Sequence, residues 1–417
     1  MTAPLSKNVQ RVQPSATLAI STQAKTMKAR GIDVIALSAG EPDFDTPEHI
    51  KDAAIRAIRD GMTKYTPAVG TPELKKALCD KFKQENGLTY EPAQIVVGCG
   101  GKHVIFETMQ ALLDEGDEVI IPAPYWVSYP EQVKLLGAQP VIVQPASGRL
   151  KINAEELRKA ITPKTKLFIL NSPSNPSGVV VDKEELLSLA DVILDAGIYV
   201  LSDEIYEKIL YDGALHYAIA GIKDGMRTRT ITVNGVSKAY AMTGWRIGYA
   251  AGPKEIMAAV GKIQSQQTSN PCSISQAAAL AALAGPQEST AEMVKAFDER
   301  RKAIVDRLNR IEGVSCPTPS GAFYVFPNVS ALYGSSYGDR RIEGSVDLCT
   351  FLLEEMHVAC VPGSAFGMDA HIRLSYATSM ENIRKAMDRI EKGIGRDFGL
   401  KTPRKIAPQR RKERKER

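Results

Sequence analysis

Hydrophobic residues gather in short runs along the middle of the chain, and polar residues separate these runs. Seven of the runs are typical of short buried strands, and they lie at 95–97, 118–121, 141–143, 167–170, 198–201, 230–233 and 247–250. Between the earlier runs, apolar residues at helical spacing predict amphipathic helices over 104–113, 154–160 and 183–195. Strands that alternate with helices predict an α/β domain with a mostly parallel seven-stranded sheet.

The chain continues past this region with a different mixture of elements. A long charged helix pattern covers 291–311, and short strand and helix patterns follow it. Because a single hydrophobic core rarely grows past about 250–300 residues, a chain of 417 residues is expected to divide into domains. We predict a large domain over 46–285 and a smaller α+β domain formed by 11–45 together with 286–398.

The positive charge of the chain is concentrated at its C-terminus. The formal net charge is +5, but 401–417 alone holds nine basic and two acidic residues, so the rest of the chain carries −2. This segment lacks a periodic apolar pattern, and we predict a basic disordered tail over 399–417. A solubilising terminus is one interpretation of the tail, and contact with RNA, a membrane surface or a partner is the other. No nucleic-acid partner is expected outside the tail.

Composition also narrows the class of protein. No run of about 18 apolar residues predicts a membrane span, and the N-terminus lacks the apolar stretch of a secretory signal. The six cysteines are scattered, with neither a C-x-x-C pair nor a metal-ligand spacing with the five histidines. We therefore expect a cytoplasmic protein with reduced thiols, no bound metal and no membrane contact.

A lysine and an arginine stand among small residues shortly after the predicted strand at 230–233. Burial of Lys238 among small groups would lower its pKa and leave a free amine that can attack a carbonyl. Ser237 and Arg246 can converge on a phosphate, because a guanidinium donates two hydrogen bonds in a fixed fork. The alternatives are a surface lysine and an arginine held in a structural ion pair.

Other polar residues follow the predicted strands, where parallel sheets bind their ligands. The turn 98–101 holds three glycines ahead of a helix pattern, and this geometry presents N–H groups to an anion. Asp203 and Tyr206 follow the fifth run and could contact a ring nitrogen and a ring oxygen, or they could be solvent-facing loop residues. Asn175 lies in the Pro-rich loop 171–178, as a preset donor or as part of a plain turn.

Two further residues suit a flat, charged ligand. Trp126 follows the second run and could cover a cofactor ring, although such tryptophans also fill hydrophobic cores. Arg373 lies inside a strand-like run, where an unpaired cation is costly, so it needs a carboxylate from a substrate or from the protein. An amine, a ring-facing carboxylate and a phosphate cage are together what pyridoxal 5′-phosphate requires.

These residues lie in motifs that resemble one enzyme family. The stretch 235–248, Gly-Val-Ser-Lys-Ala-Tyr-Ala-Met-Thr-Gly-Trp-Arg-Ile-Gly, is similar to the lysine-site signature of class I aminotransferases. Further motifs resemble the bacterial aspartate aminotransferase subgroup Iβ, namely Gly40-Glu-Pro-Asp-Phe-Asp-Thr-Pro47, Lys64-Tyr65, Pro124-Tyr-Trp-Val-Ser-Tyr-Pro130, the loop 171–178, Ser202-Asp-Glu-Ile-Tyr206 and Arg373-Leu-Ser-Tyr-Ala377. The resemblance extends over 11–390.

The resemblance implies a homodimer of fold type I with active sites at the subunit interface. It implies that Lys238 binds the aldehyde of pyridoxal 5′-phosphate and then moves a proton, while Asp203 contacts the pyridine nitrogen. Tyr206 and Asn175 would contact the ring oxygen, and Trp126 would stack on the ring.

The resemblance also implies how the cofactor phosphate and the substrate are bound. The residues that would hold the phosphate are Gly100, Gly101, Ser237 and Arg246, with Tyr65 reaching across from the other subunit. Arg373 would clamp the α-carboxylate of the substrate. The residues that would assist it on the substrate side are Gly40, Trp126 and Asn175.

The choice of substrate depends on two other positions. In similar proteins the lysine at the position of Lys102 is a candidate partner for the distal carboxylate of a dicarboxylic substrate. Relatives that also accept prephenate tend to carry a lysine where this chain has Gln13. We expect amino transfer from L-aspartate to 2-oxoglutarate, which gives oxaloacetate and L-glutamate. The alternatives are an aromatic, alanine or prephenate aminotransferase, a C–S lyase of the same fold, and a regulatory protein that uses an aminotransferase-like domain as a sensor.

Overall fold

A computed structural model describes residues 5–337 and 339–397 of the chain. The predicted tail at 399–417 lies outside these residues. No helix in the described ranges is both long and apolar enough to cross a membrane. All six cysteines lie within the described ranges, and none of them forms a disulfide.

Seven strands form the largest sheet, and every predicted run is one of them. The strands of the described residues are β1 (Ile35–Ala36), β2 (Ile95–Gly98), β3 (Glu118–Pro122), β4 (Gln139–Val143), β5 (Thr165–Asn171), β6 (Tyr199–Asp203), β7 (Thr230–Gly235), β8 (Gly248–Ala251), β9 (Tyr324–Val325), β10 (Ser336–Tyr337), β11 (Arg340–Arg341), β12 (Val358–Ala359), β13 (Val361–Pro362) and β14 (Ile372–Ser375). The large sheet has the order β2-β8-β7-β6-β5-β3-β4. Only β8 runs against the others. The prediction of an α/β fold with a mostly parallel seven-stranded sheet is therefore confirmed.

Helices cover the sheet and build the second region. The α-helices of the described residues are α1 (Lys7–Gln10), α2 (Ala16–Ala29), α3 (Glu48–Arg59), α4 (Pro72–Asn86), α5 (Gly101–Leu112), α6 (Ser128–Leu135), α7 (Ala154–Ala160), α8 (Lys183–Ala196), α9 (Lys254–Gln267), α10 (Ser273–Ala284), α11 (Glu288–Leu308), α12 (Ser345–Glu354) and α13 (Met380–Asp397). Single turns of 3₁₀ helix lie at Pro92–Gln94, Ile219–Gly221, Met226–Thr228, Thr243–Trp245, Ser330–Leu332 and Gly363–Phe366. Capping boxes start α7 and α8, in which Asn153 and Asp182 accept hydrogen bonds from backbone N–H groups of the first turn.

Three small sheets accompany the large one. β13, β14 and β9 form an antiparallel sheet, and β14 carries Arg373 as the sequence predicts. β1 pairs parallel with β12, and β10 pairs antiparallel with β11. The pairing of β1 with β12 ties an N-terminal segment to the C-terminal region.

The hydrophobic core is divided into separate clusters. Alternate residues of the large sheet point to opposite faces, so Val119 and Ile169 belong to one cluster while Ile120 and Phe168 belong to another. A third large cluster contains residues of α11, α12, α13, β9 and β14. The strands β5, β6 and β7 end at one edge of the sheet, and the polar residues that follow them meet there.

Candidate active site

A cavity of about 260 Å³ opens at this edge of the sheet. Its walls come from residues at the ends of β5, β6 and β7, from the start of α5, and from β9 and β14. The predicted site residues that line it are Gly40, Gly101, Lys102, Trp126, Asn175, Asp203, Tyr206, Ser237, Lys238, Arg246 and Arg373. Residues that are far apart in the sequence thus share one cavity.

Lys238 lies in the cavity shortly after β7 ends at Gly235. Its Nζ donates a hydrogen bond to the backbone carbonyl of Gly40 at 2.5 Å. Burial lowers the pKa of Lys238 to about 8, although the carboxylate of Glu41 opposes this shift. An amine that loses its proton this readily is available as a nucleophile near neutral pH.

Asp203 is the last residue of β6, and it presents a carboxylate to the cavity. The hydroxyl of Tyr129 donates to Asp203 Oδ2 at 2.6 Å, and the N–H of Ile205 donates to Oδ1 at 3.3 Å. Burial raises the pKa of Asp203 to about 6, and the hydrogen bond from Tyr129 opposes this rise. The carboxylate is therefore mostly ionised at pH 7 and can pair with a cation such as a protonated ring nitrogen.

Arg246 lies beside the glycine turn that precedes α5. Its Nη2 donates to the carbonyl of Cys99 at 3.3 Å. Gly100 has a φ of 96°, and a Cβ at this position would fall 2.2 Å from Arg246 Nη2. A Cβ on Gly248 in β8 would fall 2.2 Å from the backbone nitrogen that begins α5. The glycines therefore let a guanidinium and a helix N-terminus approach one position, which suits an anion.

Arg373 is a buried cation with no carboxylate partner among the described residues. It is only 2% exposed, and its Nη1 and Nη2 donate to Asn175 Oδ1 and to the carbonyl of Ser38, each at 2.8 Å. Its Nε has no hydrogen-bond partner, and no acidic side chain of the described residues forms an ion pair with it. A buried cation normally requires a counter-ion, so this site suits a ligand carboxylate.

Two tyrosines face each other on the wall of the cavity. Tyr206 follows β6 and Tyr324 begins β9, and their hydroxyl oxygens are 2.9 Å apart. Burial raises the pKa of Tyr206 well above its usual range and also raises the pKa of Tyr324. Both hydroxyls therefore keep their protons at neutral pH.

An aromatic ring and a second lysine form another wall. Lys102 Nζ lies 5.0 Å from the centre of the Trp126 ring, within the range of a cation–π contact. Burial lowers the pKa of Lys102, and the nearby charge of Arg246 lowers it further. Trp126 also packs edge to face on Tyr129, with ring centres 5.3 Å apart.

Two predicted site residues do not line the cavity. Gly100 lies behind its wall, next to the guanidinium of Arg246. Tyr65 is 90% exposed and lies outside the cavity in a single chain. Its predicted contact with the phosphate therefore requires a second subunit.

The cavity also contains residues that the sequence did not single out. Tyr129 and Tyr324 belong to its wall, together with Ser15 and Thr17 near the start of α2. Tyr129 lies in the motif 124–130, and its position one helical turn after Trp126 could have indicated it. Tyr324 offers no comparable signal, because it reaches the cavity only through the pairing of β9 with β14.

These groups fit pyridoxal 5′-phosphate. The turn before α5 and Arg246 could hold the phosphate. Space beside the guanidinium is open because position 100 is a glycine, and a Cβ there would fill it. Asp203 could face the pyridine nitrogen, and the buried amine of Lys238 could react with the aldehyde. Arg373, whose Nε has no partner, is left for a substrate carboxylate.

Comparison with known proteins agrees with this chemistry. The family model described as aminotransferase class I and II matches residues 32–390. An aspartate aminotransferase of Geobacillus stearothermophilus is 52% identical over 389 residues, which cover 93% of this chain and 98% of that protein. An aspartate/prephenate aminotransferase of Cereibacter sphaeroides is 52% identical over 392 residues, which cover 93% of this chain and 98% of that protein.

A solved structure agrees with the fold. The crystal structure of the aspartate aminotransferase from Rhizobium meliloti superposes with a TM-score of 0.90 at 48% identity, and it covers 93% of this chain and 98% of that chain. This likeness confirms the expected fold type I. With a family model that covers most of its length and relatives at about half identity, the chain belongs to the class I and II aminotransferases.

Proposed function

We propose that the chain transfers the amino group of L-aspartate to 2-oxoglutarate, giving oxaloacetate and L-glutamate, with pyridoxal 5′-phosphate bound to Lys238. One observation carries the proposal. A single cavity brings a partly buried lysine with a pKa of about 8 together with a carboxylate at Asp203 and, at Arg373, a cation that has no carboxylate partner among the described residues. The relatives from Geobacillus stearothermophilus and Rhizobium meliloti are named aspartate aminotransferases, which supports aspartate as the amino donor.

The cofactor would be held at its ring and at its phosphate. Asp203 would pair with the ring nitrogen, Tyr206 and Asn175 would contact the ring oxygen, and Trp126 would cover the ring face. The residues that would bind the phosphate are Gly100, Gly101, Ser237 and Arg246. When bound in this way, pyridoxal 5′-phosphate supplies an electron sink for the carbanion that forms at the substrate Cα.

Lys238 would have two tasks in succession. Its neutral amine would hold the cofactor through its aldehyde carbon, with loss of water, and burial favours the neutral form. Once the substrate is bound, the free amine of Lys238 would lie beside the substrate Cα and would accept the proton of that carbon. The hydrogen bond from Nζ to the carbonyl of Gly40 at 2.5 Å would orient the amine in the cavity.

A dicarboxylic substrate would be held at both ends. Arg373 would bind the α-carboxylate through its remaining donors, with Asn175 and the backbone of Gly40 assisting. Lys102, on the wall of the cavity that Trp126 forms, would bind the distal carboxylate. Two cations on different walls suit a substrate with two acids better than one with an aromatic side chain.

We also propose a homodimer whose subunits complete each other's phosphate sites. Tyr65 is 90% exposed in the single chain, and the apolar side chains of Ile55, Ile58 and Met62 nearby in the sequence are exposed as well. A second copy that covered these side chains would bring Tyr65 to the phosphate of the other subunit. Analytical ultracentrifugation of the cofactor-loaded protein would test this, and a monomer with full activity would contradict it.

The domain division and the location of the protein remain part of this proposal. The separate hydrophobic clusters support a large domain over 46–285 and a small domain formed by 11–45 and 286–398. Six free cysteines support a cytoplasmic protein.

A panel of amino donors tests the proposed reaction. Purified protein loaded with pyridoxal 5′-phosphate is mixed with 2-oxoglutarate and with aspartate, alanine, phenylalanine or cystathionine as donor. We expect oxaloacetate from aspartate at a kcat/KM well above that of the other donors, together with loss of the visible absorption band when aspartate is added alone. Preference for an aromatic donor, or release of ammonia and pyruvate from cystathionine, would overturn the assignment.

Prephenate is the second candidate acceptor, because one relative at 52% identity is named an aspartate/prephenate aminotransferase. Gln13 is evidence against prephenate as an acceptor, since similar proteins that accept prephenate tend to carry a lysine at this position. Its backbone N–H donates to Glu131 at 2.7 Å. Supplying aspartate with either 2-oxoglutarate or prephenate and measuring oxaloacetate formation decides between the two acceptors.

A further inference from the structure

We propose that Tyr324 is a positioning residue that acts on two parts of the active site at once. Its hydroxyl donates to Tyr206 and thereby directs the proton of Tyr206 toward the ring oxygen of the cofactor. Its ring makes a cation–π contact with the guanidinium of Arg373 and so fixes the position of that group. The inference rests on the proposed function, because it requires the cofactor and the substrate carboxylate to occupy the cavity.

The two tyrosines are held rigidly. Tyr206 is 3% exposed and Tyr324 is fully buried, and their rings pack edge to face with centres 5.8 Å apart. The hydroxyl oxygens are 2.9 Å apart, which is the length of an ordinary hydrogen bond. The pair is therefore fixed before any ligand enters.

The number of protons decides what the pair can do. Both phenols are protonated at neutral pH, because burial raises the pKa of each. One proton lies between the two oxygens, and one is left to donate into the cavity. If Tyr324 supplies the shared proton, the proton of Tyr206 is free for the ring oxygen, and the first hydrogen bond strengthens the second.

The ring of Tyr324 makes a separate contact. Arg373 Cζ lies 4.6 Å from its centre, and the guanidinium lacks a carboxylate partner among the described residues. A cation over an aromatic face is attracted by the ring quadrupole. The ring therefore holds the guanidinium in place while leaving its N–H donors available for the substrate.

The backbone links these contacts. Tyr324 in β9 is paired with Ser375 in β14, and β14 also carries Arg373. The hydroxyl of Tyr324 lies next to Gly40, where a Cβ would come within 3.0 Å of it. Gly40 in turn accepts the hydrogen bond from Lys238. The side chain of Tyr324 thus lies next to Tyr206, Arg373 and Gly40. These are the proposed neighbours of the ring oxygen, the substrate carboxylate and the catalytic amine.

A spectroscopic titration tests the role of the hydroxyl. The cofactor-loaded wild type is compared with Tyr206→Phe, Tyr324→Phe and the double variant, and the pKa of the change in the visible absorption band is measured. A donor to the ring oxygen weakens the hold of that oxygen on the proton at the Lys238 nitrogen. We therefore expect this pKa to rise by about one unit in Tyr206→Phe and by about half a unit in Tyr324→Phe.

The double variant and a control make the result decisive. In the Tyr206→Phe background, the added substitution Tyr324→Phe should leave the pKa of the absorption change at the value of the single Tyr206→Phe variant. A fall of the pKa in Tyr324→Phe would mean that Tyr206 donates to Tyr324, and a full shift in the Tyr206→Phe background would mean that no relay exists. Either result overturns the proposal. The matched control is Tyr376→Phe, which removes a fully buried hydroxyl that donates to Ala322 at 3.1 Å and lies outside the cavity.

Kinetics separate the ring from the hydroxyl. Tyr324→Phe keeps the ring under Arg373, so it should lower kcat and leave the KM for the amino acid within about twofold. Tyr324→Leu removes the ring as well and should raise that KM by about tenfold. Equal KM values in the two variants would contradict the ring contact. Failure of the proposed reaction would appear differently, because the wild type itself would then lack the visible band or the amino transfer.

Discussion

The chain holds two groups of charged side chains that are shielded from solvent, and only one of them faces the cavity. In the cavity, Lys238 bonds to a backbone carbonyl and Arg373 keeps an Nε without a partner. Outside the cavity lies a set that we call the paired cluster, which consists of Lys81, Glu204, Glu207 and His216. All four of these side chains are at most 8% exposed.

The paired cluster satisfies its own charges. Lys81 donates to Glu207, which also accepts from Asn234 at 2.7 Å and from Asn86 at 2.8 Å. Glu204 bonds to His216 at 2.9 Å. Burial works against the charge of His216, yet Glu204 raises the pKa of that imidazole.

The difference shows that burial of charge does not by itself identify an active site. The atoms of Glu204, Glu207 and His216 lie within 4.8 Å of one another, close enough to hold one metal ion. Every carboxylate oxygen of this trio, however, already has a hydrogen-bond partner in the protein. The cavity differs because Arg373 keeps a charged Nε–H donor without a partner among the described residues, and unused hydrogen-bonding capacity is what a ligand requires. Of the trio, only the Nδ1 of His216 lacks a partner among the described residues.

The largest expected effect is the loss of activity on replacing the cavity lysine. Lys238→Ala removes both the nucleophile and the proton carrier, so we expect kcat to fall by about 10⁴-fold while the protein stays folded. The measurements are the rate of oxaloacetate formation and the circular dichroism spectrum. Full steady-state activity in the variant would remove Lys238 from the mechanism.

Breaking the paired cluster should affect stability instead of chemistry. Glu207→Leu removes the nearest carboxylate from the buried Lys81, which keeps only a longer ion pair with Glu85 at 3.6 Å, so we expect the free energy of unfolding to fall by about 3 kcal/mol. The double variant Lys81→Met/Glu207→Leu should recover most of this loss. Activity per folded molecule should change by less than about threefold in both variants. Chemical denaturation and active-site titration measure the two quantities separately.

The two groups should also differ in how they respond to pH. Lys238 has a pKa of about 8 in the folded chain, against about 10.5 in an unfolded one. The unfolded chain therefore binds more protons between these values, and the free energy of unfolding rises with pH across this window. In cofactor-free protein, Lys238→Met should be more stable than wild type at pH 8 by about 3 kcal/mol, and this advantage should disappear by about pH 10.5. A difference in the free energy of unfolding that did not change with pH would contradict the lowered pKa of Lys238.

The unpaired arginine offers a matched comparison with a paired one. Arg373→Gln removes the charge that the substrate carboxylate would meet, so we expect the KM for aspartate and for 2-oxoglutarate to rise by about a hundredfold. Arg301 is equally buried but pairs with Asp212 and Asp298. Arg301→Gln should lower stability and leave both KM values unchanged. Similar KM values in the two variants would show that Arg373 is a structural residue.

Lys102 should have the smallest effect, and a selective one. Lys102→Met removes the proposed partner of the distal carboxylate, so the KM for aspartate should rise by about tenfold. The KM for alanine, which lacks that carboxylate, should stay the same. A parallel rise for both donors would assign Lys102 to the cofactor pocket in general.

Local patterns in the sequence predicted most of the fold and the centre of the site. Each of the seven strands is a short apolar run, and Lys238 and Arg246 belong to one continuous motif. The ends of helices were less well predicted. α5 begins at Gly101 instead of residue 104, because the glycine turn leads into it directly.

Contacts between distant segments could not be predicted in the same way. From the sequence Glu204 could have faced solvent, yet it is 1% exposed and bonds to Ser202 and to His216. Tyr324 contacts Tyr206 across 118 positions of sequence. Nothing near either residue indicates this contact, since it arises only when β9 pairs with β14.

The close approach of β8 to the start of α5 has a consequence for mutated or diverging copies of this gene. A Cβ on Gly248 would collide with the backbone at 2.2 Å, and one on Gly100 would displace Arg246, whereas a Cβ on Gly101 would meet no atom within 4 Å. Gly101 can therefore accept alanine or serine during divergence, while the other two positions cannot change without losing the anion site. A descendant that kept the lysine but carried a side chain at position 248 would be recognisable from its sequence alone as a pseudoenzyme.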